Sequence, residues 1–296
     1  MLFRSGGYET HARYHCINCS DRVCSEDTYH CDNCGDNMCH SCYSENDEEC
    51  YDCRPTESEY DSDYGRGSVR SWNYRPNRFK PKGDFKRQRN PLMGLELEVH
   101  GTHDSILSGV QTVDGNEDHL YVKTDGSISG LEIVTHPMTL DWAKSYQFDA
   151  MLSALRERRC SAREGYGLHI HVSRNAFRKS TTSSHQMTWL MFMYQNEDAL
   201  VRLARRQDDR WASFRKPAKG ELRRKASDRP SRDDRYVAIN CNNEKTYELR
   251  FFKSTLDPQE FWASLEFTDA SVRYTDTIKA ADVLRGHALH WGRFAT

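Results

Sequence analysis

Two glutamates in one short segment are spaced so that they could bind a metal ion together. Glu96 and Glu98 alternate with aliphatic residues in the segment 94–100, and a β-strand with this alternation places both carboxylates on one face. Two carboxylates this close are tolerable on a solvated strand, but within a cleft they need a cation between them. The pair therefore predicts a divalent-cation site if the polar face of this strand lines a cleft.

Three more segments carry the same alternation of aliphatic and polar residues. An antiparallel sheet often shows this pattern without any function, because one of its faces is commonly solvated. Taken together, however, these strands supply carboxylates, imidazoles and a guanidinium, the groups that bind divalent cations and phosphates. The polar residues are His169, His171 and Ser173 in the segment 167–173, Glu248 and Arg250 in 246–251, and Glu132 in 131–134.

The polar strands require a sheet whose opposite face is covered. After Pro91 the sequence alternates short strand patterns with helical stretches, which predicts an α+β domain. We expect a mainly antiparallel sheet with a polar catalytic face and with helices on the other face. The helices are predicted at roughly 140–158, 185–206 and 258–279, the last with Asp257 as N-cap and Pro258 at its first position.

The N-terminal part of the chain carries a cluster of cysteines with the spacing of zinc ligands. Nine of the 11 cysteines lie between Cys16 and Cys53, and eight of the nine form Cys-x-x-Cys pairs. Two such pairs complete a tetrahedral zinc site, so the cluster predicts two structural zinc ions. Metal binding would supply most of the folding free energy of this acidic segment, which is poor in aliphatic residues. The predicted ligands are Cys16, Cys19, Cys31, Cys34, Cys39, Cys42, Cys50 and Cys53.

Two aspects of this zinc-binding module stay open. A disulfide framework is the rival interpretation, which the odd count of cysteines and a reducing cytosol disfavour. The pairs could be arranged as a cross-brace or in sequential order, and Cys24, His30 and His40 could each substitute for a ligand. A closed zinc site predicts a structural or docking module rather than a catalytic one.

Charge divides the chain into three parts. Residues 1–60 contain 4 basic and 13 acidic side chains, whereas residues 61–90 contain 9 and 3, and the remainder is nearly balanced. The middle part has almost no aliphatic residue and cannot form a core. We therefore predict a Cys-rich zinc-binding module at 1–54, a flexible basic linker at 55–90 and a catalytic domain at 91–296.

The overall composition limits the partners. A net charge of −2 excludes a uniformly basic nucleic-acid-binding protein. The linker interleaves aromatic and basic residues that could stack on bases, but a solvated linker is the simpler interpretation, so we do not expect nucleic acid as a partner. No apolar run approaches the ~20 residues of a membrane span, and the N-terminus lacks the features of a signal peptide. We expect a soluble, cytoplasmic protein without a membrane partner.

The ordered set of motifs resembles the amidoligase family, a group of glutamine synthetase-like carboxylate-amine ligases that is widespread in phages and bacteria. The resemblance covers roughly residues 75–280, and an N-terminal Cys cluster also resembles that of some phage members. It implies a glutamine synthetase-like catalytic domain, located in the host cytoplasm if the protein is phage-encoded. The motifs are Gly94-x-Glu96-x-Glu98, Lys123-x-Asp125-Gly126-Ser127, Glu132-Ile133-Val134, Gly167-Leu168-His169-x-His171-Val172-Ser173 and Tyr247-Glu248-x-Arg250-Phe251-Phe252.

The resemblance implies a role for each of these polar residues. His171, Ser173 and Arg250 would contact the nucleotide phosphates or the transferred phosphoryl group, while Lys123 and Asp125 would position substrate or phosphate. Further candidates are Arg202, Arg206, Arg235 and Asn240. The implied ligands of Mg²⁺ or Mn²⁺ around ATP are Glu96, Glu98, Glu132, His169 and Glu248.

The implied activity is ATP-dependent formation of an amide or isopeptide bond through an acyl phosphate. The substrates would be a carboxylate and an amine, either small molecules or peptides, and the zinc module could dock a protein. The alternative is a zinc-binding adaptor, or a protein that contacts nucleic acid, built on a degenerate ligase-like scaffold. A hydrolase using the same metal ligands without ATP is a third interpretation.

Overall fold

The chain divides into two compact units, Met1–Ser62 with Arg75–Pro81, and Asp63–Tyr74 with Lys82–Thr296. No helix in the described part of the chain combines the length and the apolar character that crossing a bilayer requires. The computed structural model describes residues 12–16, 22–24, 29–30, 37–40, 68–76, 78–85, 90–177, 184–206, 210, 212–215, 217, 219–226 and 236–296.

The first unit contains two small antiparallel ladders. Strand β1 (Ala12–His15) pairs with β2 (Arg22–Cys24), and β3 (Tyr29–His30) pairs with β4 (Asn37–Met38). Cys16, which follows β1, is buried. Zinc coordination here stays a prediction, because most of its proposed ligands lie outside the described residues, namely Cys19, Cys31, Cys34, Cys42, Cys50 and Cys53.

The second unit is built on a six-stranded sheet in which every neighbouring pair of strands is antiparallel. The order of its strands is β6-β7-β5-β8-β10-β9, so the segments with Glu96 and His169 are central neighbours. This arrangement confirms the predicted α+β class with a mainly antiparallel sheet. The strands are β5 (Met93–Val99), β6 (Leu120–Thr124), β7 (Leu131–Thr135), β8 (Gly167–Ser173), β9 (Ile239–Asn240) and β10 (Thr246–Lys253).

Helices of the second unit cover the apolar face of the sheet. Aliphatic residues of the strands, such as Leu97 and Ile170, form one core cluster with helical residues such as Trp189 and Leu265. Each buried side chain of this size contributes roughly 1.5 to 3 kcal/mol, which fixes the register because a slip by one residue would turn the carboxylates toward the apolar core. The helices are α1 (His103–Gln111), α2 (Leu140–Ser145), α3 (Phe148–Glu157), α4 (Ser184–Gln195), α5 (Glu197–Ala204), α6 (Lys219–Lys225), α7 (Pro258–Thr277), α8 (Ala280–Leu284) and α9 (Trp291–Phe294).

The predicted helix at 140–158 is two helices, because the chain is extended at Tyr146. There the Tyr146 ring stacks on Trp142 at 5.0 Å between centroids, and its hydroxyl donates to the Val113 carbonyl at 3.3 Å. These tertiary contacts stabilise a break that no proline or glycine marks in the sequence.

The predicted helix at 185–206 is also interrupted, in this case at Asn196. The Asn196 amide donates to the carbonyls of Phe192 and Leu289, both at 2.7 Å, and its oxygen accepts from the Trp291 N–H at 2.8 Å. Local bonds of this kind compete with helical ones. The start of α7 was predicted correctly, since the Asp257 carboxylate caps it by accepting from the Glu260 N–H at 3.1 Å.

Gly130 lies where β7 begins to pair with β5, and it has no room for a side chain. A Cβ at this position would stand 2.1 Å from the Val99 carbonyl oxygen. Because the obstacle is backbone, Gly130→Ala should lower the free energy of unfolding by about 2 to 3 kcal/mol. Urea denaturation followed by circular dichroism measures this loss.

Gly126 provides the matched control for this prediction. It belongs to the same turn, and a Cβ there meets no atom within 4 Å among the described residues. Gly126→Ala should leave the urea midpoint almost unchanged or raise it slightly. Equal midpoints for the two alanine variants would show that the contact with Val99 does not restrict position 130.

Candidate active site

Cross-strand pairing brings the predicted polar residues to one face of the sheet. Residues directly opposite each other in an antiparallel sheet project to the same side and lie close together. The opposite pairs are Lys123 with Glu132, Glu132 with Glu98, Glu96 with His169, and His171 with Glu248.

His169 is buried among three of these carboxylates. Its Nδ1 lies 3.6 Å from Glu96 Oε2 and 3.7 Å from Glu248 Oε1, and its Nε2 lies 3.9 Å from Glu98 Oε1. The imidazole is therefore shared between two groups of acidic side chains, one on either side of the ring.

Among the described residues, two sets of three side chains could hold a metal ion. One is Glu96, His169 and Glu248, the other is Glu98, Glu132 and His169, and within each set the ligand atoms lie within 4.8 Å of one another. Carboxylate oxygens with an imidazole suit Mg²⁺ or Mn²⁺. Glu98, Glu132 and Glu248 are buried, so a divalent cation would relieve the repulsion between them. The residues present therefore fit such a cation.

The two sets differ in the direction in which the pKa values of their carboxyl groups are shifted. Burial and the negative charge of Glu96 raise the pKa of Glu132 to about 7, although the Lys123 ammonium 2.9 Å away opposes this shift. Burial also raises the pKa of Glu98, whose carboxylate accepts the Gly167 N–H at 2.6 Å. The set containing Glu98 and Glu132 thus holds its protons more tightly than isolated carboxylates do.

In the other set, the carboxyl pKa values are lowered, and the positive charge of the neighbouring His171 is the largest lowering effect. Burial would raise the pKa of Glu96 and of Glu248, but the positive charge of His171 and further nearby interactions together outweigh it and lower both pKa values. Burial lowers the pKa of His171, yet its interaction with Glu96 and the charges of Glu248 and Glu132 together outweigh burial and raise this pKa to about 9. Near neutral pH Glu96 and Glu248 are therefore carboxylates that lie beside the imidazolium of His171.

His171 has a nitrogen that the described residues leave unsatisfied. Its Nδ1 lies 3.2 Å from the Thr246 hydroxyl. Its Nε2 is 3.3 Å from Glu96 Oε1, close enough for charge attraction, but it is buried without a hydrogen-bond partner in the described part of the chain. A phosphate oxygen would satisfy this nitrogen.

Glu132 should make cation binding depend on pH. A carboxyl whose pKa is raised to about 7 keeps its proton below pH 7, and a cation must displace that proton before it binds. We expect about tenfold weaker Mn²⁺ binding at pH 6 than at pH 8, with proton release at pH 6. Isothermal titration calorimetry in two buffers of different ionisation enthalpy measures both quantities.

The variant Glu132→Gln is the test of this assignment, since it removes the titrating carboxyl. Its Mn²⁺ affinity should be lower at pH 8, and its pH dependence smaller than that of the wild type. Tighter binding by the wild type at pH 6 than at pH 8 would contradict the sign of the effect.

The carboxylate of Glu248 is held by a loop that the sequence pattern only partly revealed. Glu248 Oε2 accepts from the side-chain amides of Asn240 at 2.7 Å and Asn243 at 3.4 Å, while Oε1 accepts from Arg250. Asn240 was a candidate from the sequence, but Asn243 and Thr246 were not. Three asparagines within residues 240–243, just before the Glu248 strand, are the signal that could have identified this loop.

The other sequence candidates have different surroundings. Asp125 accepts from the Ser127 N–H at 2.6 Å and so shapes its own turn, and Ser173 accepts from the Asn175 N–H at 3.3 Å. Arg206 donates to the carbonyls of Gly165 and Arg250 at 3.2 and 3.3 Å. Arg202 is exposed on α5, whereas Arg235 lies outside the described residues.

A comparison with known protein families finds a match for the second unit. The model of a family described as "Putative amidoligase enzyme" matches residues 100–275. The matched region includes Glu132, His169, His171, Glu248 and Arg250, and it begins one residue after β5, the strand of Glu96 and Glu98. A comparison with curated proteins finds no match to this chain.

Proposed function

Since the chain belongs to this amidoligase family, whose model matches more than half of it, we propose that it is an ATP-dependent carboxylate-amine ligase. The observation that carries the proposal is the meeting of two cation-binding sets with Arg250 and His171 on one sheet face. A site for a nucleotide polyphosphate with its divalent cations requires these groups.

The proposed reaction activates the substrate carboxylate before the amide forms. A carboxylate oxygen attacks the γ-phosphorus of ATP, the bond from this phosphorus to the bridging oxygen breaks, and ADP leaves. The acyl phosphate is then attacked at its carbonyl carbon by the amine, which loses a proton as phosphate leaves. The products are an amide or isopeptide, ADP and phosphate.

The residues of the site have separate tasks in this proposal. Glu96, Glu98, Glu132, His169 and Glu248 would hold Mg²⁺ or Mn²⁺, which supplies the positive charge that lets two anions approach. The guanidinium of Arg250, next to Glu248, would donate to oxygens of the transferred phosphoryl group.

The imidazolium of His171 and the ammonium of Lys123 add positive charge on either side of these carboxylates. Lys123 would position the substrate or a phosphate, and Asp125 would act by shaping the turn that follows Lys123. Ser173, at the end of β8, would contact the nucleotide.

Arg250→Lys tests the proposed contact with phosphate. Lysine keeps the positive charge but lacks the planar fork that binds two oxygens at once, so we expect ATP turnover to fall by about 100-fold. A coupled assay of ADP release measures the rate. Arg285→Lys, on an exposed arginine that pairs with Asp282, is the matched control and should retain the wild-type rate. Wild-type turnover by Arg250→Lys would argue against a phosphate role.

Mass spectrometry tests the function itself. Metabolites and proteins from cells that express the wild type would be compared with those from cells that express Glu98→Gln, in a search for a condensation product formed with loss of water. Absence of such a product from every fraction would contradict the ligase. Cleavage of a substrate in nucleotide-free buffer would instead support a metal-dependent hydrolase.

We also propose that residues 1–54 form a zinc-binding docking module, joined by a basic linker at 55–90 to the catalytic domain. The support is the spacing of four Cys-x-x-Cys pairs and the repeat of Tyr14–Asp21 at Tyr29–Asp36. Elemental analysis of the purified chain should find about two zinc ions. A zinc-free chain whose first unit is folded would contradict this proposal.

A further inference from the structure

Arg174 connects the end of β8 to the loop that precedes β10. It belongs to a short 3₁₀ turn, Arg174–Ala176, and its side chain is buried. Its guanidinium donates to the Cys241 carbonyl at 2.7 Å and to the Asn243 carbonyl at 3.1 Å. Its backbone N–H donates to the Lys245 carbonyl at 2.8 Å. The loop 241–245 is thus held at three of its carbonyls by one residue.

Two further contacts strengthen this arrangement. The Arg174 guanidinium lies over the Tyr247 ring, 4.2 Å from its centroid, which supports its orientation. On the other side, the fully buried Lys225 ammonium donates to the Ile239 carbonyl at 3.3 Å. Carbonyls at alternate positions 239, 241 and 243 therefore each accept from a buried cationic side chain.

Side chains of β9 and of the loop 241–245 reach the candidate metal site. Asn240 and Asn243 donate to Glu248 Oε2, and the Asn240 amide oxygen accepts from the Asn242 N–H at 3.0 Å, which orients it. The direction of the Glu248 carboxylate thus depends on the conformation of the loop.

We propose that Arg174 is a positioning residue for the metal site, acting through Asn240 and Asn243 on Glu248. This inference rests on the proposed function, because it assumes that Glu248 binds a divalent cation. Residues that orient a metal ligand through hydrogen bonds typically change metal affinity by about 10- to 100-fold when they are replaced. Arg174 would have an effect of this kind without touching the cation or the substrate.

The experiment measures Mn²⁺ binding to the full chain by isothermal titration calorimetry, without nucleotide. Arg174→Ala should bind Mn²⁺ about tenfold more weakly than the wild type. Arg174→Lys retains a donor for one carbonyl and should lie between the two, and it keeps the test valid if the alanine variant does not fold. Folding of each variant is checked by its thermal midpoint.

Arg70→Ala is the matched control. Arg70 is also a buried arginine over a tyrosine ring, 4.8 Å from the centroid of Tyr74, but it is anchored by Glu117 near the opposite edge of the sheet. Its replacement should cost stability and leave Mn²⁺ affinity within about twofold, because its side chain contacts Glu117 and Tyr74 rather than the loop 241–245.

A double-mutant cycle separates positioning from general stability. In a chain that already carries Asn240→Ala and Asn243→Ala, replacing Arg174 by lysine should weaken Mn²⁺ binding little further. The hydrogen bonds from these asparagines to Glu248 are already absent in that chain. A full, additive loss there, or equal affinity of the wild type and both Arg174 variants, would overturn the inference and leave the proposed function intact. A wild type that binds no Mn²⁺ would overturn both.

Discussion

Replacing Glu248 by glutamine should reduce metal-dependent ATP turnover by at least about 1,000-fold. Glu248 belongs to one of the two candidate cation-binding sets among the described residues, and it is buried at the centre of a hydrogen-bonded group. Glutamine has nearly the same shape, so the fold should persist, but it removes the negative charge that would bind the cation. An ADP-release assay over a range of Mg²⁺ concentrations measures the loss.

The fold of Glu248→Gln should be checked together with its activity. A glutamine oxygen can still accept from Asn240 or from Arg250 but not from both, so the free energy of unfolding should fall by about 1 to 3 kcal/mol. Glu244→Gln is the matched control, because Glu244 is exposed in the loop 241–245, four residues before Glu248. Unchanged turnover by Glu248→Gln would remove Glu248 from the metal site.

His169→Asn should have an even broader effect, because His169 is the one side chain common to both cation-binding sets found among the described residues. Its two ring nitrogens face different carboxylates, Glu98 on one side and Glu96 with Glu248 on the other. Asparagine is too short to serve both sets. We expect Mn²⁺ affinity to fall by about 100-fold or more at both positions, and turnover to be lost with it.

Calorimetry and an ATP-turnover assay check this second expectation. The distinctive outcome is the loss of all measurable Mn²⁺ binding events, whereas a change at Glu132 should affect one set more than the other. His103→Asn, at the exposed start of α1, is the control and should bind Mn²⁺ as the wild type does. Retention of wild-type affinity in His169→Asn would contradict the sharing of this imidazole.

The face of each strand that carries the site could be predicted from the sequence, because alternation of side chains is a local property. Glu96 with Glu98, His169 with His171, and Glu248 with Arg250 were identified in this way. The order of the strands was not predictable by this route, since direct pairing of Glu98 with Glu132 and of Glu96 with His169 arises from contacts between distant segments. The same limit explains the missed helix breaks at Tyr146 and Asn196, which tertiary hydrogen bonds stabilise.

The supporting residues were harder to find than the charged ones. Asn243 and Thr246 are of types that are common in turns, so nothing local distinguishes a turn residue from one that orients a carboxylate or an imidazole. The Gly167 N–H that binds Glu98 carries no sequence signal at all, since every residue except proline has such a group. Groups that orient the charged side chains can therefore be identified only once the path of the backbone is known.

The six-stranded sheet draws its central polar residues from segments far apart in the chain, with Glu96 on β5 and Glu248 on β10, the strand nearest the C-terminus. During synthesis, a ribosome-bound chain that has not yet released β10 lacks Glu248 and Arg250. Such a nascent polypeptide cannot complete the first cation-binding set. The proposed consumption of ATP could therefore begin only after translation has passed residue 253 and β10 has joined the sheet.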